Sequence, residues 1–207
     1  ASVATTMNNV TTLVAVGLWT DADEAGASSG WNGTYGGLDL TGTGTAYAIR
    51  KQTVTVAAPA QNVEHGMHIV ILRGPVRIRV GSADGYDDYI TETELDTGSH
   101  SIAFTPTGDF YVRLFSALAY TVTVSSIAIE ATGDMILTSP WTTQANLDAI
   151  RYDQSGDIVF VACKSIPPYQ IERRAARSWS VVKYMADKGP FLTQNIGPIE
   201  LGVTTGT

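Results

Sequence analysis

From Leu38 to Ala131 short stretches of alternating apolar and polar residues follow one another, cut by turn residues at intervals of about 8–12 positions. In Val76-Arg77-Ile78-Arg79-Val80 the apolar residues share one side and two arginines share the other. In Thr121-Val122-Thr123-Val124-Ser125 two valines oppose the hydroxyl residues. A period of two sends successive side chains to opposite faces of a strand, so each stretch has one face to bury. The candidate strands are Ala46–Ala57, Met67–Arg73, Val76–Gly81, Tyr89–Leu95, Ser99–Thr105, Phe110–Phe115 and Thr121–Ala131. Arg73-Gly74-Pro75, Asp84-Gly85, Thr97-Gly98 and Thr107-Gly108-Asp109 punctuate them. No window of this region carries a 3.6-residue apolar period on good helix formers, so a βαβ protein does not fit. The pattern is mainly β, an antiparallel β-sandwich of jelly-roll-like kind.

The flanks read differently. Residues 1–18 are a polar lead running into a Thr/Val-rich strand, and Thr20 to Gly37 is a small, polar, Gly-rich loop. From Asp134 on, Met135-Ile136-Leu137 reads as a short strand, and Thr142 or Thr143 caps a short helix carrying Leu147 and Ile150. Asp157–Cys163 is a strand that Pro167-Pro168 breaks, and Tyr169–Arg173 and Trp179–Tyr184 are further strands. The reading is therefore a β-sandwich over 1–133 and a smaller β-rich unit with one short helix over 134–207. The smaller unit is too short for a substantial core of its own, so it docks on the first unit or on neighbouring subunits. The last residues, Ile199 to Thr207, read as a strand and turn cut mid-pattern, so the unit is expected to continue in a longer polypeptide.

Composition narrows the partners. The 207 residues carry a formal charge of −7, and only 16% are charged. Residues 1–133 hold 13 acidic and 6 basic side chains, while the remainder holds 7 of each. A charge step of that size marks two surroundings. Neither part offers the basic face that phosphate binding needs. Mean hydropathy is +0.05, yet the longest apolar runs, Ile69–Leu72 and Ile158–Cys163, are strand-sized and fall far short of the roughly 20 residues of a membrane helix.

Reactive residues are sparse. His65 and His68 lie an odd number apart in a strand, on opposite faces, and His100 does not complete a ligand set with them. Cys163 ends an apolar strand and reads as a buried, inert thiol without a disulfide partner. Two acidic loops, Asp21-Asp23-Glu24 and Asp84-Asp87-Asp88, are solvated loops or a structural Ca²⁺ site, though neither has EF-hand spacing. No other cofactor is indicated. The sequons at Asn9 and Asn32 are chance matches, since nothing signals secretion. Trp19, Trp31, Tyr35, Tyr86 and Tyr89 sit in or beside loops. They either fill the sandwich ends or a subunit contact, or, for Trp31, Tyr35 and Tyr86, stack on the rings of a glycan. Arg173, Arg174 and Arg177 beside Trp179 form the one basic cluster, and an intersubunit contact is its expected use.

Five pieces of the second unit occur in a fixed order. They are Ser139-Pro140-Trp141; Leu147 to Tyr152 with Gln154, Ser155 and Asp157; Pro167-Pro168 with Arg173; Trp179; and Gly189-Pro190-Phe191. Over residues 137–192 this order resembles a segment of tailed-bacteriophage nozzle or tail-hub structural proteins. The family pattern has a His before the paired prolines, where this chain reads Val161-Ala162-Cys163-Lys164. The resemblance implies a structural virion component rather than an enzyme: a ring of identical subunits in a phage tail, contacting other tail or head-to-tail connector proteins. DNA would pass such a ring without sequence readout, and an acidic lumen would keep it from sticking. The second reading is a carbohydrate-binding sandwich for a host-surface glycan. An enzyme using paired carboxylates is a distant third, because no motif singles out a pair.

Overall fold

The structure, a computed structural model, describes residues 19–32, 37–130 and 135–185. Its strands are β1 (Thr20–Asp21), β2 (Ser28–Asn32), β3 (Gly37–Thr41), β4 (Ala48–Val54), β5 (His65–Arg73), β6 (Val76–Gly81) and β7 (Ile90–Leu95). They continue with β8 (Gly98–Phe104), β9 (Phe110–Ser116), β10 (Val122–Glu130), β11 (Arg151–Ser155), β12 (Ile158–Cys163), β13 (Ile166–Ala175) and β14 (Ser178–Lys183). One short helix, α1 (Gln144–Asp148), precedes β11.

Eight of these strands pair as one long hairpin rolled onto itself. β3 pairs with β10, β4 with β9, β5 with β8 and β6 with β7, all antiparallel. Rolling that ladder gives two facing sheets, β4-β9-β6-β7 and β8-β5-β10-β3, the jelly-roll arrangement that the alternating stretches predict. Every strand sends alternate residues between the sheets. Leu38 and Leu40, Met67, Ile69 and Ile71, Ile78 and Val80, and Val112 and Leu114 are all buried there. Phe104 and Phe110 meet edge to face at 5.1 Å within the same core. On the opposite face of β6, Arg77 and Arg79 pair with Glu92 and Glu94 of β7.

The second unit joins the roll by extending one of its sheets. β14 pairs with β8, and β13, β12 and β11 follow as a meander, so a nine-stranded sheet runs β11-β12-β13-β14-β8-β5-β10-β3-β2. The sheet is thus continuous across the 133/134 boundary drawn from composition. Further contacts tie the seam. Thr138 N donates to Ser99 Oγ at 2.8 Å, and Lys183 N to Thr97 O at 2.9 Å. Gly98 opens β8 with φ +153°, and a Cβ there would stand 2.2 Å from Val181 O of β14. Only glycine lets the two backbones approach in that way.

A second, smaller core lies on the other face of this extension. Val161, Cys163 and Val181 are buried there with Trp141, flanked by Leu137, Ala149, Ile150, Val159, Tyr169 and Ile171. The segment before β11 covers this face. Thr143 caps its helix, accepting from Asn146 N at 3.2 Å, as the sequence predicts.

Three expectations change, and one strand was not anticipated. Met135-Ile136-Leu137 is not a strand; it runs as irregular chain over the second core. Pro167 and Pro168 lie inside β13 rather than ending a strand. They occupy its first positions, opposite a bulge between Val161 and Cys163, and the Pro168 carbonyl still accepts from Tyr184 N at 2.9 Å. The Gly-rich stretch after Thr20 contains β2, which adds to β3 as an edge strand. β11 has no strand-like apolar pattern, because all five of its residues are exposed. The Thr/Val-rich lead and Ile199 to Thr207 lie outside the described residues.

Candidate assembly surface

The residues that carry chemistry are mostly spent on holding the fold. His65 is buried with Nε2 2.9 Å from Ala60 O, while His68 faces the other way, 3.0 Å from Ser99 Oγ. His100 is buried at the seam. Its Nε2 lies 2.8 Å from Asp96 O and its Nδ1 2.9 Å from Ser180 Oγ of β14. The carbonyl requires an N–H on Nε2, and burial keeps the ring neutral, so Nδ1 accepts from the serine hydroxyl. Burial pushes its pKa down to about 4, and the charges of Arg174 and His68 push the same way. Cys163 is buried, its Sγ 3.4 Å from Asn146 O.

Both acidic loops use their carboxylates as turn braces. Asp23 accepts from Ile49 N at 2.6 Å and from Ser29 Oγ at 2.8 Å, and Glu24 accepts from Tyr47 N at 2.8 Å. Asp21 pairs with Arg50, Asp84 with Lys51, and Asp87 and Asp88 accept backbone N–H groups of Glu92 and Ser82. Among the described residues no three His, Cys, Asp or Glu side chains come together as a metal-ligand group. Gly26-Ala27-Ser28-Ser29-Gly30 has the spacing of a hydrolase nucleophile elbow. Ser28 and Ser29 instead start β2, no helix follows, and no histidine is bonded to either hydroxyl among the described contacts.

The loop aromatics separate. Trp19 is buried in the sandwich core, and Trp31 is half-buried against it with its indole N–H covered. Trp31 thus packs against the sandwich core from the edge strand β2. Tyr89 bonds Thr107 Oγ1 at 2.8 Å. Tyr86, in the turn after β6, is 62% exposed. Tyr35 and Asn9 lie outside the described residues, and Asn32 is tied to Asp39 at 2.8 Å.

The arginines expected to reach a neighbour bind within the chain. Arg177 lies in the β13–β14 turn rather than in a strand, and grips Glu64 with Nε at 3.0 Å and Nη2 at 2.5 Å. Arg174 donates to Glu94 O at 3.0 Å, and Arg173 lies 3.5 Å from Asp157. Trp179 pairs across the strands with Arg173 and Ser101. Arg177 through Glu64 and Arg174 through the Glu94 carbonyl tie the extension to the roll, while Arg173 stays within the extension.

What lies open is elsewhere. The strand β12 is apolar on both faces, and a strand of that kind is built to be covered twice. The second core covers one face. On the other, Phe160, Ala162, Pro168 and Tyr184 line a groove of about 480 Å³, with Arg151 and Asp153 on its β11 side. Phe160 and Tyr184 meet edge to face at 5.7 Å, and Tyr184 is 44% exposed. Beyond the groove β11 ends the sheet, with Tyr152 76% exposed. The doubly apolar run at Ile158–Cys163 was the available signal for this surface. Neither protein-family models nor curated proteins give a match to this sequence.

Proposed function

We propose that the chain is a non-catalytic structural subunit that assembles with copies of itself, and that the assembly belongs to a bacteriophage tail, as a nozzle, hub or adaptor ring. The observation that carries self-assembly is the overhang. Four strands prolong one sheet of the jelly roll, and the prolongation keeps an aromatic groove and an edge strand uncovered within the described chain. A sheet that leaves apolar surface and an unpaired edge open is a docking element. The order of residues over 137–192 supplies the tail context. The groove's position beside β12 fits that context, because the resembling segment contains the overhang.

Purified protein examined by light scattering and negative-stain electron microscopy is expected to form a closed assembly of defined size. Labelled antibody is expected to bind virion tails of the phage whose genome encodes the chain. A protein that stays monomeric at the highest soluble concentration, or label confined to host cell debris, overturns the reading.

A further inference from the structure

β11 is an edge, and its backbone phase can be read from its hairpin. Ser155 faces Ile158 across a two-residue turn, Gly156-Asp157. The residues that close a two-residue hairpin exchange hydrogen bonds, and the exchange recurs at every second residue. Ser155, Asp153 and Arg151 therefore spend their backbone groups on β12. Tyr152 and Gln154 turn theirs to the open side, as Ile150 does its carbonyl, the Ile150 N–H being held by Leu147 O at 3.3 Å. Two of those groups are capped by neighbouring side chains. Arg151 Nη1 donates to Ile150 O at 2.8 Å, and Asp153 Oδ1 accepts from Gln154 N at 2.9 Å. Neither charged side chain has an ion-pair partner among the described residues, whereas arginines nearer the roll do.

We propose that β11 pairs antiparallel with β11 of a second copy, about a two-fold axis at Tyr152. The inference rests on the self-assembly reading and names one of its contacts, an isologous one that joins subunits in pairs, with the ring closed by other surfaces. In that register Tyr152 faces itself and exchanges both backbone hydrogen bonds. Ile150 O then meets Gln154 N of the partner strand, so the groups now capped by side chains find backbone partners. The released Arg151 stands directly opposite the partner's Asp153, and Asp153 opposite the partner's Arg151. These are non-hydrogen-bonded positions, where side chains come closest. Shifting the axis to Asp153 would set two carboxylates face to face, which selects against that slip. The charge pattern Arg-Tyr-Asp is thus complementary to its own reverse. The aromatic grooves beside Arg151 and Asp153 would adjoin across the axis, bringing Phe160 and Tyr184 toward the contact.

Sedimentation equilibrium of the whole chain is compared with Asp153→Arg, Arg151→Asp and the double reversal R151D/D153R. Each single reversal sets like charges opposite one another and is expected to weaken association about tenfold or more; the double reversal restores it. Both sites are exposed, so circular dichroism of each variant is expected to match the parent. Association that ignores the single reversals, or that the double reversal fails to restore, overturns this pairing and leaves self-assembly standing. A protein that never associates overturns both. Slow amide exchange at Tyr152 and Gln154 in the monomer would show that the chain's own residues cover the edge, and also overturns the pairing.

Discussion

His100 shows how one buried side chain ties sequence-distant parts together. It takes Asp96 O on one nitrogen and Ser180 Oγ on the other, so its neutral ring is written into the seam between β8 and β14. The folded-state pKa, about 4, lies below the ordinary 6.5. The unfolded chain therefore takes up a proton first as pH falls. The contribution is complete above pH 6.5, declines between 6.5 and 4, and changes no further below that. A loss of about 2 kcal/mol by pH 5 is expected from this group. Urea denaturation at pH 7 and pH 5 checks it, and His100→Gln is expected to flatten the difference. Asp88, held below the usual carboxylate range by the Ser82 N–H, adds its own loss only at lower pH.

The strands pair antiparallel throughout the roll, with register shifts in β10–β5 and β6–β7, while the β8–β14 junction keeps a single register. Gly98 is the narrowest point of that junction. Gly98→Ala puts a Cβ against the Val181 carbonyl and asks alanine for a glycine backbone angle. About 3 kcal/mol of destabilisation is expected from strain and overpacking together. Hydrogen exchange is expected to quicken in β14 and β13 while the β4-β9-β6-β7 sheet keeps its protection. Uniform loss across both sheets would mean that the junction does not limit the extension. β11 was illegible for a related reason. Its five residues are all exposed, so no apolar period marks them, and only the pairing with β12 makes them a strand.

Taken together, the molecule is a jelly roll with one sheet drawn out past its partner sheet. Two cores on opposite faces share that sheet, so the extension is continuous in hydrogen bonding with the roll. The intact chain is expected to unfold in one cooperative transition, with tryptophan fluorescence and far-ultraviolet circular dichroism coinciding. Trp19 reports the large core and Trp141 the small one, so a fluorescence change that precedes the loss of sheet signal would show the two cores melting separately. The overhang gives the molecule a direction, with the two-sheet roll at one end and the single-sheet extension, with its groove, at the other.

The alternation from Leu38 to Ala131 was enough to establish a mainly β sandwich, because a period of two leaves each strand one face to bury and no helix can satisfy it. The same local reasoning found the Thr143 cap and the opposite facing of His65 and His68, both consequences of neighbours in sequence. It missed the place of the paired prolines, and it left open the intrachain partners of the arginines and the packing of Trp31. Those depend on which distant backbone lies alongside: Glu64 beside Arg177, the sandwich core beside Trp31, and Tyr184 donating to Pro168. The uncovered groove follows from the same cause. A run apolar on both sides announces that two coverings are needed, but only packing in three dimensions reveals that the described chain provides one.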